Sequence, residues 1–461
     1  MSAATAAGML VVALVVAGCT MRSPPPPEEI RAQALPGLDV PDTWQSAGAE
    51  PGSLEESWLT TFDDAVLNEL VAEALANNPD LKPAAARVGQ AAAYVEAAGA
   101  GLLPQVAAIG NVSGKDSSSG TLNFVGAFAS WELDLWGRVR SGRESARMQL
   151  LSAELANRYG RESMAAMVAR AWFLAIEASL QKAVADDMVV AAEKLVSLAR
   201  DRARVGAGSE YDVSVADATL LGYRDTAAQM DASRRQSVQA IERIVGRYPA
   251  AELEVATALP DLPGPVPAGL PSELLERRPD VVAAERQVAT AFHRTEEAKA
   301  ARLPAISLTG AVSSLSSDLV VLKKRDDPVF GFGGRASVPL YLGGSLQAQV
   351  KVRTAEQKEA VAEYGRAGAN AFTDVEKALS AGFALDARER LLVQAVAENQ
   401  RALDIAQTRY RVGSDDLRFV EQQQLRLHGA KSALLRVQGE QLVQRVNLHL
   451  ALGGSFEDGG S

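Results

Sequence analysis

Two hydrophobic periods alternate along this chain. Long stretches repeat apolar residues at helical spacing, as in Phe372, Val375, Leu379 and Phe383, or Leu403, Ala406 and Tyr410. Shorter stretches alternate with a period of two. Ile306, Leu308, Gly310 and Val312 are set against Ser307, Thr309, Ala311 and Ser313, and Phe330, Phe332, Ala336, Val338 and Leu340 against Gly331, Gly333, Arg335 and Ser337. The matching segments earlier in the chain are Gln105 to Val112 and Phe124 to Leu135, where Val125, Ala127, Ala129, Trp131 and Leu133 form one apolar face. Proline is absent between Pro104 and Pro249 and from Leu340 onward, so uninterrupted helices are permitted there. The pattern predicts a short helix over Ala65 to Ala76, a break at Asn78-Pro79, and a helix from Leu81 to Ala100. Two strands follow, then a helix from Arg143 to Arg204 of roughly 60 residues and ~90 Å, a glycine turn, and a helix from Asp212 to Arg247.

The same order of parts is written twice. Asn78-Pro79-Asp80-Leu81 aligns with Arg278-Pro279-Asp280-Val281, and Leu103-Pro104 with Leu303-Pro304, both 200 positions apart. Arg204-Val205-Gly206 aligns with Arg411-Val412-Gly413, and Val245-Gly246 with Leu452-Gly453, now 207 apart. The seven extra residues are placed in the loop between the second pair of strands, around Ser316 to Pro328, opposite Ser117 to Gly120. The chain therefore divides into a repeat at 65–248, a proline-containing linker at 249–271, a second repeat at 272–454 and a tail at 455–461.

Strands of about ten residues with one apolar and one polar face match transmembrane barrel strands, and a half-buried sheet gives the same pattern. If the strands lie in lipid, four per chain are too few to close a barrel. An open edge in hydrocarbon leaves backbone groups unpaired at several kcal/mol each, so the chain must oligomerise. Two copies would supply eight strands and a filled interior; three would supply twelve and leave a channel.

Composition narrows the chemistry. Lys and Arg number 47 against 57 Asp and Glu, for a net charge of -10 and no basic run, which argues against a nucleic-acid partner. Three scattered histidines and one cysteine cannot assemble the usual metal sets, and no phosphate loop, nucleophile elbow or zinc-protease motif occurs. The carboxylate pairs Asp63-Asp64, Asp186-Asp187 and Asp326-Asp327 lack a second cluster. The chain reads as a non-enzyme without a cofactor.

The apolar run Met9 to Val16 is too short to span a bilayer and predicts a signal peptide over residues 1–18. No Lys or Arg precedes it, so a start further upstream is expected. The run ends in Val16-Ala17-Gly18-Cys19, which resembles the bacterial lipobox and makes Cys19 the expected site of a covalent lipid. Thr20, not Asp, follows, as in outer-membrane lipoproteins. Residues 19–64 form the lipidated arm, and Ser23 to Pro51, with the tract Pro24 to Pro27, is expected in extended, polyproline-like form.

Trp44, Trp58-x-x-x-Phe62-x-Asp64-x-x-Leu67-x-x-Leu70, Ala76-Asn77-Asn78-Pro79-Asp80-Leu81, Trp131-Glu132-Leu133-Asp134-Leu135-Trp136-Gly137-Arg138 and Arg409-Tyr410-Arg411-Val412-Gly413 together resemble outer-membrane efflux lipoproteins of the TolC/OprM type, NodT subgroup. The resemblance implies a mainly α, internally duplicated fold with four long-helix columns and four transmembrane strands per chain. It implies a homotrimer with a 12-stranded β-barrel and a 12-helix periplasmic tunnel. The partners it implies are a periplasmic adaptor and an inner-membrane pump of the resistance-nodulation-division class, with small molecules as cargo. The same fold serving type I protein secretion, and a coiled-coil envelope lipoprotein, are the competing readings; the latter calls for a sustained heptad, which is not present.

Two turns punctuate the long helices. Gly206 suits a left-handed helix stop and Ser209 with Asp212 a capping box. Gly413 repeats the stop, and Ser414, Asp415 or Asp416 can cap the next helix. By resemblance, Asp415 lines the constriction, with Asp416 the alternative, and Arg411 and Tyr410 pair between neighbouring helices to hold it shut. The tips around Gly206, Ser209, Asp212, Gly413 and Ser414 are the implied adaptor contacts. Relatives carry Leu-x-Ala-Gln after this turn, where this chain has Val420-Glu421-Gln422-Gln423, so Glu421 can replace a second acidic ring.

Overall fold

The computed structural model describes residues 22–46, 57–111, 123–316 and 329–456. The elements, in chain order, are α1 (Pro27–Ala34), α2 (Ala65–Asn77), α3 (Lys82–Ala100), β1 (Gln105–Asn111), β2 (Asn123–Leu133), α4 (Arg138–Arg204) and α5 (Glu210–Val245). Then come α6 (Leu274–Arg277), α7 (Pro279–Ala300), β3 (Ala305–Ser316), β4 (Val329–Ser337), α8 (Ser345–Arg411) and α9 (Leu417–Ala451). The repeated order of parts is thus a repeated order of elements. The arm expected to be extended from Ser23 to Pro51 is corrected by α1: Pro27 stands at the first helical position, where its missing N–H costs nothing, and the chain coils to Ala34, while 47–51 lie outside the described residues. The chain forms two compact units: residues up to 38 with 84–157 and 280–368, and residues 39–83 with 158–279 and 369–461.

The first unit carries the sheet, antiparallel in the order β1-β2-β3-β4. Register joins the faces across it. Ala129 stands opposite Val106 and Gly310, Trp131 opposite Leu308, and Gly310 opposite Phe332, giving one apolar face. Ser130 stands opposite Gln105 and Thr309, Glu132 opposite Ser307, and Ser307 opposite Arg335, giving a polar one. The apolar face is open: Val106 is 73% exposed, Phe330 68% and Phe332 92%. A water-soluble sheet buries such a face against a second layer. β4 ends at Ser337, short of the expected Val338 and Leu340, because Pro339 has no N–H for the ladder.

The expected start of the long helix at Arg143 is corrected to Arg138, and β2 stops at Leu133. The cause is Asp134, whose carboxylate accepts from the backbone N–H groups of Val139 (3.0 Å) and Arg140 (2.9 Å) and so caps α4 early. The rest of this junction is stitched by Trp136, which donates to the Pro304 carbonyl at 2.6 Å, and by Gly137 at φ 72°. Both long helices, α4 and α8, run 67 residues.

In the second unit the core gathers Trp58, Phe62, Leu67 and Leu70 against Ala165, Ala169 and Phe173 of α4, all nearly fully buried. Asp64 holds this in place: it caps α2 through Leu67 N–H (3.0 Å) and accepts from the Trp172 indole (2.7 Å). The duplication is visible contact by contact. Asn78 donates to the Ile244 carbonyl at 2.7 Å, and Arg278, its counterpart, to the Ala451 carbonyl at 3.4 Å. Gly246 at φ 88° lies against Asn77, and Gly453 at φ 73° against Arg278.

Glu242 is 2% exposed and accepts from the N–H groups of Ala251, Glu252 and Leu253 at 2.7, 2.7 and 3.0 Å. Burial alone would raise its carboxyl, but these three donors and Arg247 hold it below the ordinary value. A depressed carboxylate contributes stability that is full above its unfolded value and lost as pH falls through the folded one. Glu242→Gln should therefore destabilise by about 1–3 kcal/mol at neutral pH, with the gap to the parent narrowing in acid. Thermal unfolding across the pH range measures this; a gap independent of pH would refute the charge's part.

Candidate functional site: the paired helix tips

The two turns of the second unit are built alike. At the first, Gly206 (φ 76°) donates to Ala203 O and Ala207 to Arg202 O; at the second, Gly413 (φ 80°) donates to Tyr410 O and Ser414 to Arg409 O. Both are Schellman stops, which satisfy the last helix carbonyls through a left-handed residue that favours glycine. The helices leaving the turns start differently. Ser209 and Asp212 form a reciprocal capping box at 3.2 and 3.1 Å. Of the three residues able to cap α9, Asp416 does so, accepting from Arg418 N–H at 3.3 Å. Ser414 belongs to the preceding helix end, its hydroxyl donating to Arg409 O at 3.2 Å.

Arg202, which the sequence did not single out, joins the tips. It donates to Tyr410 O at 2.6 Å and Ala207 O at 3.0 Å, and its guanidinium lies 4.6 Å over the Tyr410 ring. Its repeat counterpart, 207 positions on, is Arg409, which instead pairs with Asp415 at 3.6 Å. That offset was the one signal that could have found Arg202. Tyr410 is 4% exposed, and burial, reinforced by Asp212, Asp416 and Glu421 against the opposing Arg202, pushes its phenol up. Arg411 is exposed and makes no ion pair among the described residues. Tyr410 and Arg411 are thus not brought together as a pair here; Tyr410 is held by Arg202 of the same chain.

The acidic residues differ in environment. Asp415 is about a quarter exposed beside Arg409. Asp416 is held below the usual carboxylate range by Arg418, 2.8 Å away, whose side chain and backbone both donate to it. Glu421 accepts from the Thr219 hydroxyl at 3.0 Å; burial, with the charges of Asp416 and Asp212, pushes it up despite that bond. The tip core beneath is Leu195, Ala199, Leu220, Ala406, Leu417 and Val420.

Of the carboxylate pairs, Asp64 is the α2 cap and Asp186 pairs with Lys182, while Asp326 and Asp327 lie outside the described residues. No group of side chains able to hold a metal ion occurs among the described residues. Cys19 also lies outside them.

The profile of the outer membrane efflux protein family matches residues 70–247 and 270–454. The chain belongs to this family. Among curated relatives it is 30% identical to the probable efflux pump outer membrane protein TtgC of Pseudomonas putida, covering 97% of this chain and 95% of that one. It is 27% identical to the cation efflux system protein CusC of Escherichia coli K12, covering 96% and 98%. Among solved structures, the open state of the MtrE outer membrane channel of Neisseria gonorrhoeae aligns with a TM-score of 0.80 at 26% identity, over 95% of this chain and 98% of that one. The family member described here is accordingly an outer-membrane efflux component that extends into the periplasm.

Arg202→Ala removes two hydrogen bonds and the ring contact, worth about 1–2 kcal/mol together. Amide exchange in residues 203–209 and 410–415 should quicken by roughly tenfold, a factor matching ~1.4 kcal/mol, with the Trp58 core unaffected. Unchanged exchange at both turns would show that Arg202 does not join them.

Proposed function

We propose that this chain is a passive, gated duct of a tripartite efflux system. Three copies pair β1 of one with β4 of the next, closing a 12-stranded barrel whose apolar face meets lipid and whose polar face lines the lumen; their long helices form a 12-helix tunnel. The observation that carries this is the open four-stranded sheet with an exposed apolar face, on a chain of the outer membrane efflux family. An inner-membrane pump of the resistance-nodulation-division class drives transport, so the duct carries out no chemistry and needs no cofactor. A periplasmic adaptor docks at the tips around Gly206, Ser209, Asp212, Gly413 and Ser414. Cargo is small organic molecules or cations, in line with the toluene efflux and cation efflux named for TtgC and CusC. A lipid on Cys19 adds an anchor worth about 0.8 kcal/mol per buried CH₂.

At the constriction the three Asp415 side chains form a ring that attracts cations and repels anions. Asp416 is the lesser candidate, since its carboxylate is already engaged as a cap and by Arg418. Arg409 restrains Asp415, Arg202 fixes Tyr410, and Arg411 is exposed and available to a neighbouring copy.

In planar bilayers Asp415→Ala should raise single-channel conductance and weaken block by divalent cations; unchanged values in both remove Asp415 from the gate. Cys19→Ser should abolish lipidation yet leave detergent-resistant trimers, because barrel closure holds the protein in the membrane. A soluble, folded, single protomer from that variant would overturn the barrel.

A further inference from the structure

At the foot of the sheet the first unit contains a cleft of about 870 Å³, within the range of sites that hold small organic ligands. Its strand wall is Gln105, Ser130, Glu132 and Ser307, all on the polar face that the register defines. Its helix wall brings charge. Glu132 is engaged by Arg138 through two hydrogen bonds of 3.0 and 2.7 Å. Arg294 and Glu297, three residues apart on α7, have the spacing at which an ion pair normally forms, yet Arg294 donates to the neutral amide of Gln149 at 3.0 Å. Glu297 makes no ion pair among the described residues, although its charge reaches Arg138, whose guanidinium is held up chiefly by its bond to Glu132 and in smaller part by Glu297. Across from it, a Cβ on Gly142 would stand 3.2 Å from its Oε1, so glycine there leaves the carboxylate room. Both charged groups are half-buried, and Tyr94, 54% exposed, offers an aromatic ring at the rim.

The four charges lining the cleft sum to zero. With Glu132 and Arg138 bound to each other, a simple anion or cation meets one attractive and one repulsive group without an ion-pair partner, whereas a dipolar solute satisfies both. We propose that this niche binds zwitterionic organic solutes, with the ligand carboxylate on Arg294, its ammonium on Glu297 and its apolar body beside Tyr94, as a resting place on the conducting side of the duct. The position on that side rests on the function proposed above; the binding chemistry does not.

The test uses the full chain purified in detergent and three probes sharing one ring: L-tryptophan (zwitterion), tryptamine (cation) and indole-3-propionate (anion), titrated calorimetrically. Tryptophan should bind at least tenfold more tightly than either monopole. Arg294→Gln should erase its advantage over tryptamine, Glu297→Gln its advantage over indole-3-propionate, and the charge-exchanged double variant R294E/E297R should restore both. Equal binding of the three probes, or a tryptophan preference that survives both single substitutions, overturns the proposal. Arg294→Lys, which keeps the charge, should retain most of the preference and serves if the glutamine variants do not assemble. Bilayer conductance separates the two claims: a protein that conducts but does not prefer the zwitterion loses the niche alone, and one that prefers it but does not conduct loses the duct alone.

Discussion

Main-chain hydrogen bonding at the sheet edges governs this molecule. Among the described residues the linear order β1-β2-β3-β4 leaves one side of β1 and one side of β4 without partners, and the side chains on one face are as apolar as lipid demands. In water such an edge can be solvated; in hydrocarbon it cannot, and no side chain repairs it. The chain's membrane face and its need for company are therefore one property, not two.

The helical part obeys a different rule, that of stopping. Helices of 67 residues have no internal reason to end, so their ends are imposed by short-range chemistry. Glycines at 206, 246, 413 and 453, all at positive φ, terminate four helices with the same pair of hydrogen bonds. Around these fixed stops the side chains diverge. The first tip contributes Arg202, which reaches across to the second; the second contributes Arg409, which stays at home with Asp415. A duplicated scaffold thus presents two chemically different turns.

Much of this was legible beforehand, for reasons that can be named. Period-two alternation in β3 and glycines at a constant offset are direct imprints of backbone geometry, and both survive in a single sequence. Asp134 was misread because it stands within an apparently continuous strand between Leu133 and Leu135, where only three-dimensional closure shows its carboxylate turning to the next helix. Arg202 looked like any charge on a helix surface. Glu242 looked the same, although three backbone donors from a later segment converge on it. Side chains that serve distant main-chain atoms leave no local pattern, and these were the ones missed. The cleft charges at Arg294 and Glu297 leave no signal for the opposite cause, since a basic and an acidic residue three apart on a helix are commonplace.

The contact made by Asn78 in one half and Arg278 in the other shows what drift can and cannot rewrite. In each case the acceptor is a peptide carbonyl, which no point mutation can delete, while the donor has changed in length, charge and shape. Donors as unlike as Asn78, which also accepts from Asp80 N–H, and Arg278, which also pairs with Asp374, are admissible at that corner. Divergence between the halves therefore records the latitude of the donor and says nothing about the importance of the joint, which is anchored in the one component inheritance cannot alter.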